Sequence, residues 1–385
     1  MANALKAIVE GRMLSWAREF SKTTIEEAAK ASVVSTEKII AWENGSEKPT
    51  VRQLRLLAKK FRFPLALFYL PDPPDFHIPK VRDFRSIEGI ESHIDEYKLT
   101  VEIRNAFEKR EILVEYQEAE NELDNLALDV SPEENSASLA TRIRNAIGLT
   151  VEAQVQWRDN RTAFNELRDL IESKGALILQ TSEIDLSVMR GFSLDIFPIP
   201  VIVVNRKDAY AGRSFTLIHE LSHVLLRTSA ICNYNIKESG DNDQWRTEVF
   251  CNSVAAQTLV PEDDFKKQNV VVNHKGNTWD DGEVAELARR YNASREVIVR
   301  RLLELGLTNR TFYEKKRNEF KDEYEKWHDK KSGFVPPAVN VSSLLGRKYI
   351  ATMLSALDQG KITLNDFSDY VGMKLKHLDE LRIIA

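Results

Sequence analysis

His219, Glu220 and His223 stand in an H-E-x-x-H arrangement inside FTLIHELSHVLLR (215–227), a run whose apolar residues recur with helical periodicity. On a helix, positions i and i+4 share a face one turn apart, so both imidazoles can reach one ion. Glu220 follows the first histidine, beside the open metal position, where a carboxylate can take a proton from water. Phe215, Leu217, Ile218, Leu221, Val224, Leu225 and Leu226 cover most of the remaining surface, so the helix is expected to be buried. Two histidines and a glutamate in such a place are costly unless a metal or hydrogen bonds compensate them. A chance pentapeptide is the alternative reading of this motif alone.

A third ligand strengthens the metal reading, because a catalytic zinc takes three protein ligands and one water. Glu248 opens a second apolar helical run, TEVFCNSVAAQTLVP (247–261), 25 residues after His223. It completes a His, His, Glu set, with Asn252 one turn further on. The expected centre is therefore Zn2+ on His219, His223 and Glu248, with Glu220 as general base. The residues do not assign an oxyanion partner. Tyr210, Tyr234 and His274 are candidates, and His77, His93, His328 and His377 read as surface or packing residues.

The elements that must position this set sit in a chain of 385 residues, long enough for two or three domains. Its hydrophobic fraction of 43% and charged fraction of 29% are those of an ordinary globular protein. No apolar run is long enough to span a bilayer, and the first twenty residues carry charge throughout, which argues against a signal peptide. Cys232 and Cys251 suggest no disulfide framework, so a cytoplasmic location is expected. Cys251, in the second metal helix, reads as a small buried apolar residue rather than a ligand. The net charge of −5 hides an asymmetry: residues 1–70 carry 12 Lys and Arg against 7 Glu, or +5, which leaves −10 for the remainder. A basic module on an acidic body suits nucleic-acid binding, and also an ordinary solvated surface.

The fold class expected is mostly α with a small antiparallel β-sheet (α+β), in several domains. Residues 4–20, 24–31, 35–42 and 50–61 read as four helices, with Thr24 and Ser35 as N-caps and Glu27 completing a capping box with Thr24. The middle two make a helix-turn-helix unit. A linker at 63–90 follows, its 65–70 stretch packing on the helices before Pro71, Pro73, Pro74 and Pro79 forbid regular structure. A charged helix over 99–125, an acidic loop at 128–138 and helices at 139–147 and 164–174 come next. Segments 176–180, 191–194 and 200–205 read as the antiparallel sheet. Because the last strand leads into the metal helix, a sheet edge is expected beside the metal, where an extended peptide could pair. Residues 282–306 repeat a helix-turn-helix pattern, read as a structural hairpin. The helix over 314–329 carries Tyr313, Phe320, Tyr324 and Trp327 as a docking stripe. The tail gives a small separate unit of helices at 342–358, 364–371 (capped by Thr363) and 374–382. The expected domains are thus 1–70, a linker and long helix at 71–138, a zinc peptidase domain at 139–306 and a helical remainder at 307–385.

The segment IIAWENGSEKPTVRQLRLLAKKF (39–61) resembles the Xre-type helix-turn-helix family, whose third helix commonly ends in a W-E-x-G turn followed by P-S/T. In that family the second and third helices carry polar residues for bases and phosphates. Here Ile25, Glu37, Ile40 and Ala41 occupy such positions, and Thr36, Lys38, Asn44, Lys48 and Arg52 are the candidate DNA contacts. The wider combination, with RSFTLIHELSHVLL, EVFCNSVAAQTLVP and ELARRYNASREVIVRRLLELG, resembles the ImmA/IrrE-like zinc peptidases fused to an N-terminal Xre domain. That resemblance implies a zincin-like endopeptidase with ligands His219, His223 and Glu248 and base Glu220. It also implies a protein or peptide partner, namely a repressor, antitoxin or toxin in a stress, prophage or toxin–antitoxin circuit, with a DNA operator as a further partner. The competing reading is a regulator or antitoxin that holds a partner through the peptidase fold and turns over little.

Overall fold

The computed structural model describes residues 5–74, 82–83, 93–117, 128, 130, 134–228, 230–232, 243–328 and 334–384, with backbone alone at 82–83, 93–96, 230–232, 243–244 and 325–328. His77, Pro79, Tyr234, Asp329, the 118–125 end of the expected long helix and much of the loop at 128–138 lie outside these residues. So do the side chains of His93, Cys232, Trp327 and His328. The chain forms two compact units, 1–79 with 89–107, and 80–88 with 108–385.

In the first unit α1 (Gly11–Phe20), α2 (Ile25–Ser32), α3 (Thr36–Glu43) and α4 (Val51–Phe61) enclose Leu14, Ala28, Ile39, Trp42, Leu54, Leu57 and Phe61. The first helix starts later than the expected residue 4. Residues 5–7 are extended and pair with the stretch before α4: Ala7 N–H donates to Pro49 O (2.8 Å) and Val51 N–H to Leu5 O (3.0 Å). Thr24 and Glu27 form the expected capping box. Ser35 stands at the N-cap of α3 without a side-chain capping bond. Its hydroxyl turns to Glu37 and holds that carboxyl below the usual carboxylate range. A 3-10 turn, Leu65–Tyr69, buries Phe68 against Phe61 at the expected place. Helix α5 (His93–Tyr116) follows in the chain.

In the second unit β1 (Arg82–Asp83) comes first in the chain. Beyond α5 come α6 (Ser136–Ile147), α7 (Val151–Val155), α8 (Asn160–Ser173), β2 (Leu177–Thr181), β3 (Gly191–Leu194), β4 (Val201–Asn205) and α9 (Tyr210–Leu225), then β5 (Ala230–Cys232) and α10 (Asp243–Leu259). The sheet order is β1-β5-β3-β4-β2. It is mixed rather than antiparallel throughout. β4 runs antiparallel to β3 but parallel to β2, in a register that sets Leu177 opposite Val201 and Thr181 opposite Asn205. In the chain β3 comes between β2 and β4, but in the sheet β2 adds to the side of β4 away from β3 and points the same way as β4. β4, the strand leading into the metal helix, is therefore internal to the sheet and offers no edge, contrary to the expectation. The strand nearest Glu220 is β3, and its other side pairs antiparallel with β5, Gly191 opposite Cys232.

Helix α9 lies on β3 and β4, and α8 and α10 pack against it. Ile178, Ile202, Val204, Leu217, Ile218, Leu221, Val254 and Ala255 close the core between them. The chain continues through α11 (Glu262–Phe265), α12 (Asn269–Asn273), α13 (Asp281–Tyr291), α14 (Arg295–Glu304) and α15 (Arg310–His328). The hairpin α13–α14 closes the core with Val284, Leu287, Val297, Ile298 and Leu302, as a structural element should. On α15, Tyr313 and Phe320 dock on that core. Tyr324 donates to Asp208 Oδ1 (2.6 Å), just before α9.

The expected helix over 342–358 is two helices, α16 (Pro337–Leu345) and α17 (Arg347–Asp358). They break at Gly346, whose φ is +82°, a left-handed conformation that favours glycine. A Cβ there would stand 2.5 Å from Arg168 Nη2 and 2.5 Å from Glu172 Oε1. Then come α18 (Leu364–Val371), a 3-10 turn Leu375–His377 and α19 (Leu378–Ile384). This tail is not separate from the sheet. α16 packs on β2, and Ser343 O accepts from Arg168 Nη1 (2.8 Å) and Gln180 Nε2 (2.6 Å).

One turn recurs along the chain. A helix ends on a left-handed residue, one residue follows, and an N-cap opens the next helix: Val33, Val34, Ser35; Asn292, Ala293, Ser294; Gly372, Met373, Lys374. In each the middle N–H donates to a carbonyl five residues back, on Ala29, Ala288 and Ser368.

Candidate metal centre

Helix α9 begins at β4's carboxyl end, where buried Asp208 accepts from Ala209 N–H (2.7 Å) and pairs with Arg190 (2.7 Å). A carboxylate at a helix N-terminus is favourable, and it fixes where the helix starts over the sheet. Two and a half turns on, His219, Glu220 and His223 are fully buried. Helix α10 packs along α9 and brings Glu248, 3% exposed, to the same point.

His219 Nε2 lies 3.1 Å from His223 Nε2. His223 Nε2 lies 3.0 Å from Glu248 Oε1, and His219 Nε2 lies 3.4 Å from Glu248 Oε2. Zinc–nitrogen and zinc–oxygen bonds of about 2.0–2.1 Å at tetrahedral angles separate neighbouring ligand atoms by about 3.3–3.4 Å. These three contacts, 3.0 to 3.4 Å, are of that size, the two histidines meeting different oxygens of Glu248. Burial would raise the Glu248 carboxyl, but His219 and His223 overcome it and hold it well below its usual range. Burial holds His219 below the ordinary histidine value, which favours the neutral form a metal needs. The donor set, its spacing and its protonation thus suit a zinc-type cation.

Glu220 points from α9 toward the first residue of β3. A Cβ on Gly191 would stand 3.1 Å from Glu220 Oε1 and 2.5 Å from Thr216 Cγ2. Sequence reasoning missed Gly191, although a glycine in a strand is the usual sign of a close approach. It also missed Thr228, whose hydroxyl lies 3.2 Å from His223 Nδ1. Cys251 is fully buried beside His223, and burial raises its thiol.

The other candidates are placed as follows. Tyr210 lies nine residues before His219, about 14 Å along the helix, and packs against Phe164 and Arg213. His274 stacks on Trp279 at 3.6 Å, with Nδ1 2.9 Å from Glu283 Oε1. His377 sits 3.3 Å from Glu380. In the first unit Thr36 opens α3, and Arg52 is exposed on the first turn of α4. Asn44 Oδ1 accepts from Ser46 N–H (2.9 Å) and Lys48 O accepts from Lys6 Nζ (2.9 Å). Lys38 Nζ is held between both oxygens of Glu47, at 2.7 and 2.5 Å. Ile40 on α3 is 48% exposed and Val33 in the turn before it 84% exposed.

Comparison with known proteins bears on both units. Residues 175–303 match the family model of the IrrE N-terminal-like domain, a peptidase family, and residues 14–68 match that of the helix-turn-helix. No curated protein matches the chain at a significant level. The first match spans β3, β4, the H-E-x-x-H helix and Glu248, and the second spans α2, its turn and α3. The chain accordingly joins a helix-turn-helix domain to an IrrE N-terminal-like domain of the peptidase class, the pairing that its motifs implied.

Proposed function

We propose that the chain is a zinc-dependent endopeptidase whose metal would be held by His219, His223 and Glu248. The observation that carries this reading is the convergence of the two Nε2 atoms and the Glu248 carboxylate, in contacts of 3.0 to 3.4 Å, with Glu220 buried next to them. When bound there, zinc supplies Lewis acidity, which acidifies water and polarises a peptide carbonyl. The carboxylate of Glu220 takes the proton of the attacking water and returns it to the leaving amine. The burial of α9 between the sheet and α10 excludes bulk water from the far side of the site. Residues 139–306 would form the peptidase domain and 1–70 the helix-turn-helix module. Protein substrates of repressor or antitoxin type fit this pairing, and so does a cytoplasmic location. Among the described residues no helix is long and apolar enough to cross a membrane.

For DNA we propose weak operator binding through Lys48 and Arg52, with Thr36 and Asn44 as further contacts. Lys38 is engaged by Glu47 and Ile40 is exposed, which favours weak over tight binding.

A specific observation keeps a second reading in play. The side of β3 next to Glu220 is already paired with β5, where an extended substrate would otherwise add. A regulator or antitoxin that holds a partner and turns over little would have such a filled edge. Incubating the wild type and Glu220→Gln with repressors and toxins encoded beside the chain separates the two. The peptidase reading expects cleavage that falls by about 10²–10⁴ in the variant. Tight binding by both forms with no cleavage by either contradicts it.

A further inference from the structure

We infer that Thr228 is a positioning residue that sets the tautomer of His223 and so presents its Nε2 lone pair to the metal. This deepens the metal reading above and rests on it.

The observation is a double contact made by one hydroxyl. Thr228 Oγ1 donates to His223 O (3.2 Å) and lies 3.2 Å from His223 Nδ1. A hydroxyl has one proton and two lone pairs. A carbonyl oxygen can only accept, so the proton of Thr228 is committed to His223 O. Its remaining contact with Nδ1 must then run the other way, Nδ1–H donating to Oγ1. Both contacts are satisfied together only in the Nδ1–H tautomer. That leaves Nε2 bare, and Nε2 is the atom 3.1 Å from His219 Nε2 and 3.0 Å from Glu248 Oε1.

The local backbone explains how a residue five positions on reaches back to the ring. Helix α9 ends at Leu225, and Arg227 takes φ +56°, turning the chain sharply. Thr228 N–H then donates to His223 O at 2.9 Å, folding residue 228 over the last turn. This backbone bond needs no hydroxyl. A valine at 228 would keep the turn and the β-branched shape and remove only the oxygen that accepts from Nδ1. Partners of this kind orient a ligating histidine and raise its basicity, and losing one costs about 10–100-fold in metal affinity.

The test compares full-length wild type, Thr228→Val and Thr228→Ser by zinc titration against a competing chelator, with circular dichroism to confirm folding. We expect Thr228→Val to bind zinc about 10–100-fold more weakly and Thr228→Ser to recover the wild-type affinity. If the wild type and Thr228→Val take up zinc equally well, the role of Thr228 is overturned while the metal site stands. If the wild type takes up no zinc, the metal reading falls and this one with it. Should Thr228→Val not fold, nitrogen-15 shifts of His223 in the zinc-loaded wild type decide. Nδ1 protonated and Nε2 metal-bound is expected, and Nδ1 metal-bound would overturn the assignment.

Discussion

Gly191, the first residue of β3, lies so close to Glu220 on the metal helix that a single added carbon would stand 3.1 Å from the Glu220 carboxylate. The same carbon would meet Thr216 Cγ2 at 2.5 Å and the main-chain oxygen of Val203 at 3.0 Å, so of its three neighbours the Glu220 side chain is the one freest to yield. The strand and the Glu220 carboxylate are thereby in close contact.

Gly191→Ala should therefore lower stability by about 1–3 kcal/mol and displace Glu220 while leaving the three ligands alone. We expect the urea midpoint to fall and cleavage of a substrate to drop with zinc content unchanged. Unaltered stability would show that the strand moves aside freely.

Lys38 and Glu47 carry the expectation for DNA. Glu47→Gln releases the Lys38 ammonium from the carboxylate, so full-length protein should bind operator DNA several-fold more tightly. The slope of log affinity against log salt should steepen by about one. Equal affinity and slope in fluorescence anisotropy titrations would show that this side of α3 does not meet phosphate.

The tail is fastened through a buried ion pair. Arg168 and Glu172 are 5% and 3% exposed, 3.0 Å apart, and Arg168 also reaches Ser343 O. Arg168→Ala strands the Glu172 carboxyl, already raised by burial, and should cost about 3–5 kcal/mol. Gly346→Ala, which forces a side chain into the same pair, should act non-additively with it in a double-mutant cycle by urea denaturation. Simple additivity would show that α16 is held by other contacts.

The meeting of His219, His223 and Glu248 was legible because its pattern is local: the histidines are one helical turn apart, and Glu248 lies in the next apolar helix, α10, which starts earlier than expected at Asp243. Capped helices were equally readable, since Thr24 and Glu27 satisfy each other within four residues. The sheet was less so. Whether β2 pairs with β3 in a hairpin or with β4 in parallel is a choice between non-local partners, and no periodicity encodes that. β5 has three residues, too few for an alternation to register, yet it decides that the edge beside Glu220 is filled. The late start of α1 shows the same limit, because residues 5–7 trade helical bonds for pairing with Pro49 and Val51. The helix-turn-helix signature at 282–306 is real as geometry, but its second helix buries Val297, Ile298 and Leu302, so the turn alone does not mark a nucleic-acid surface.

Metal analysis of the purified full-length chain tests the central claim most directly. The wild type and Glu220→Gln should each carry one zinc or substitutable divalent ion per chain, because Glu220 is not in the donor set, and His219→Ala should carry none. A metal-free wild type, or a His219→Ala variant that keeps its metal, would contradict it.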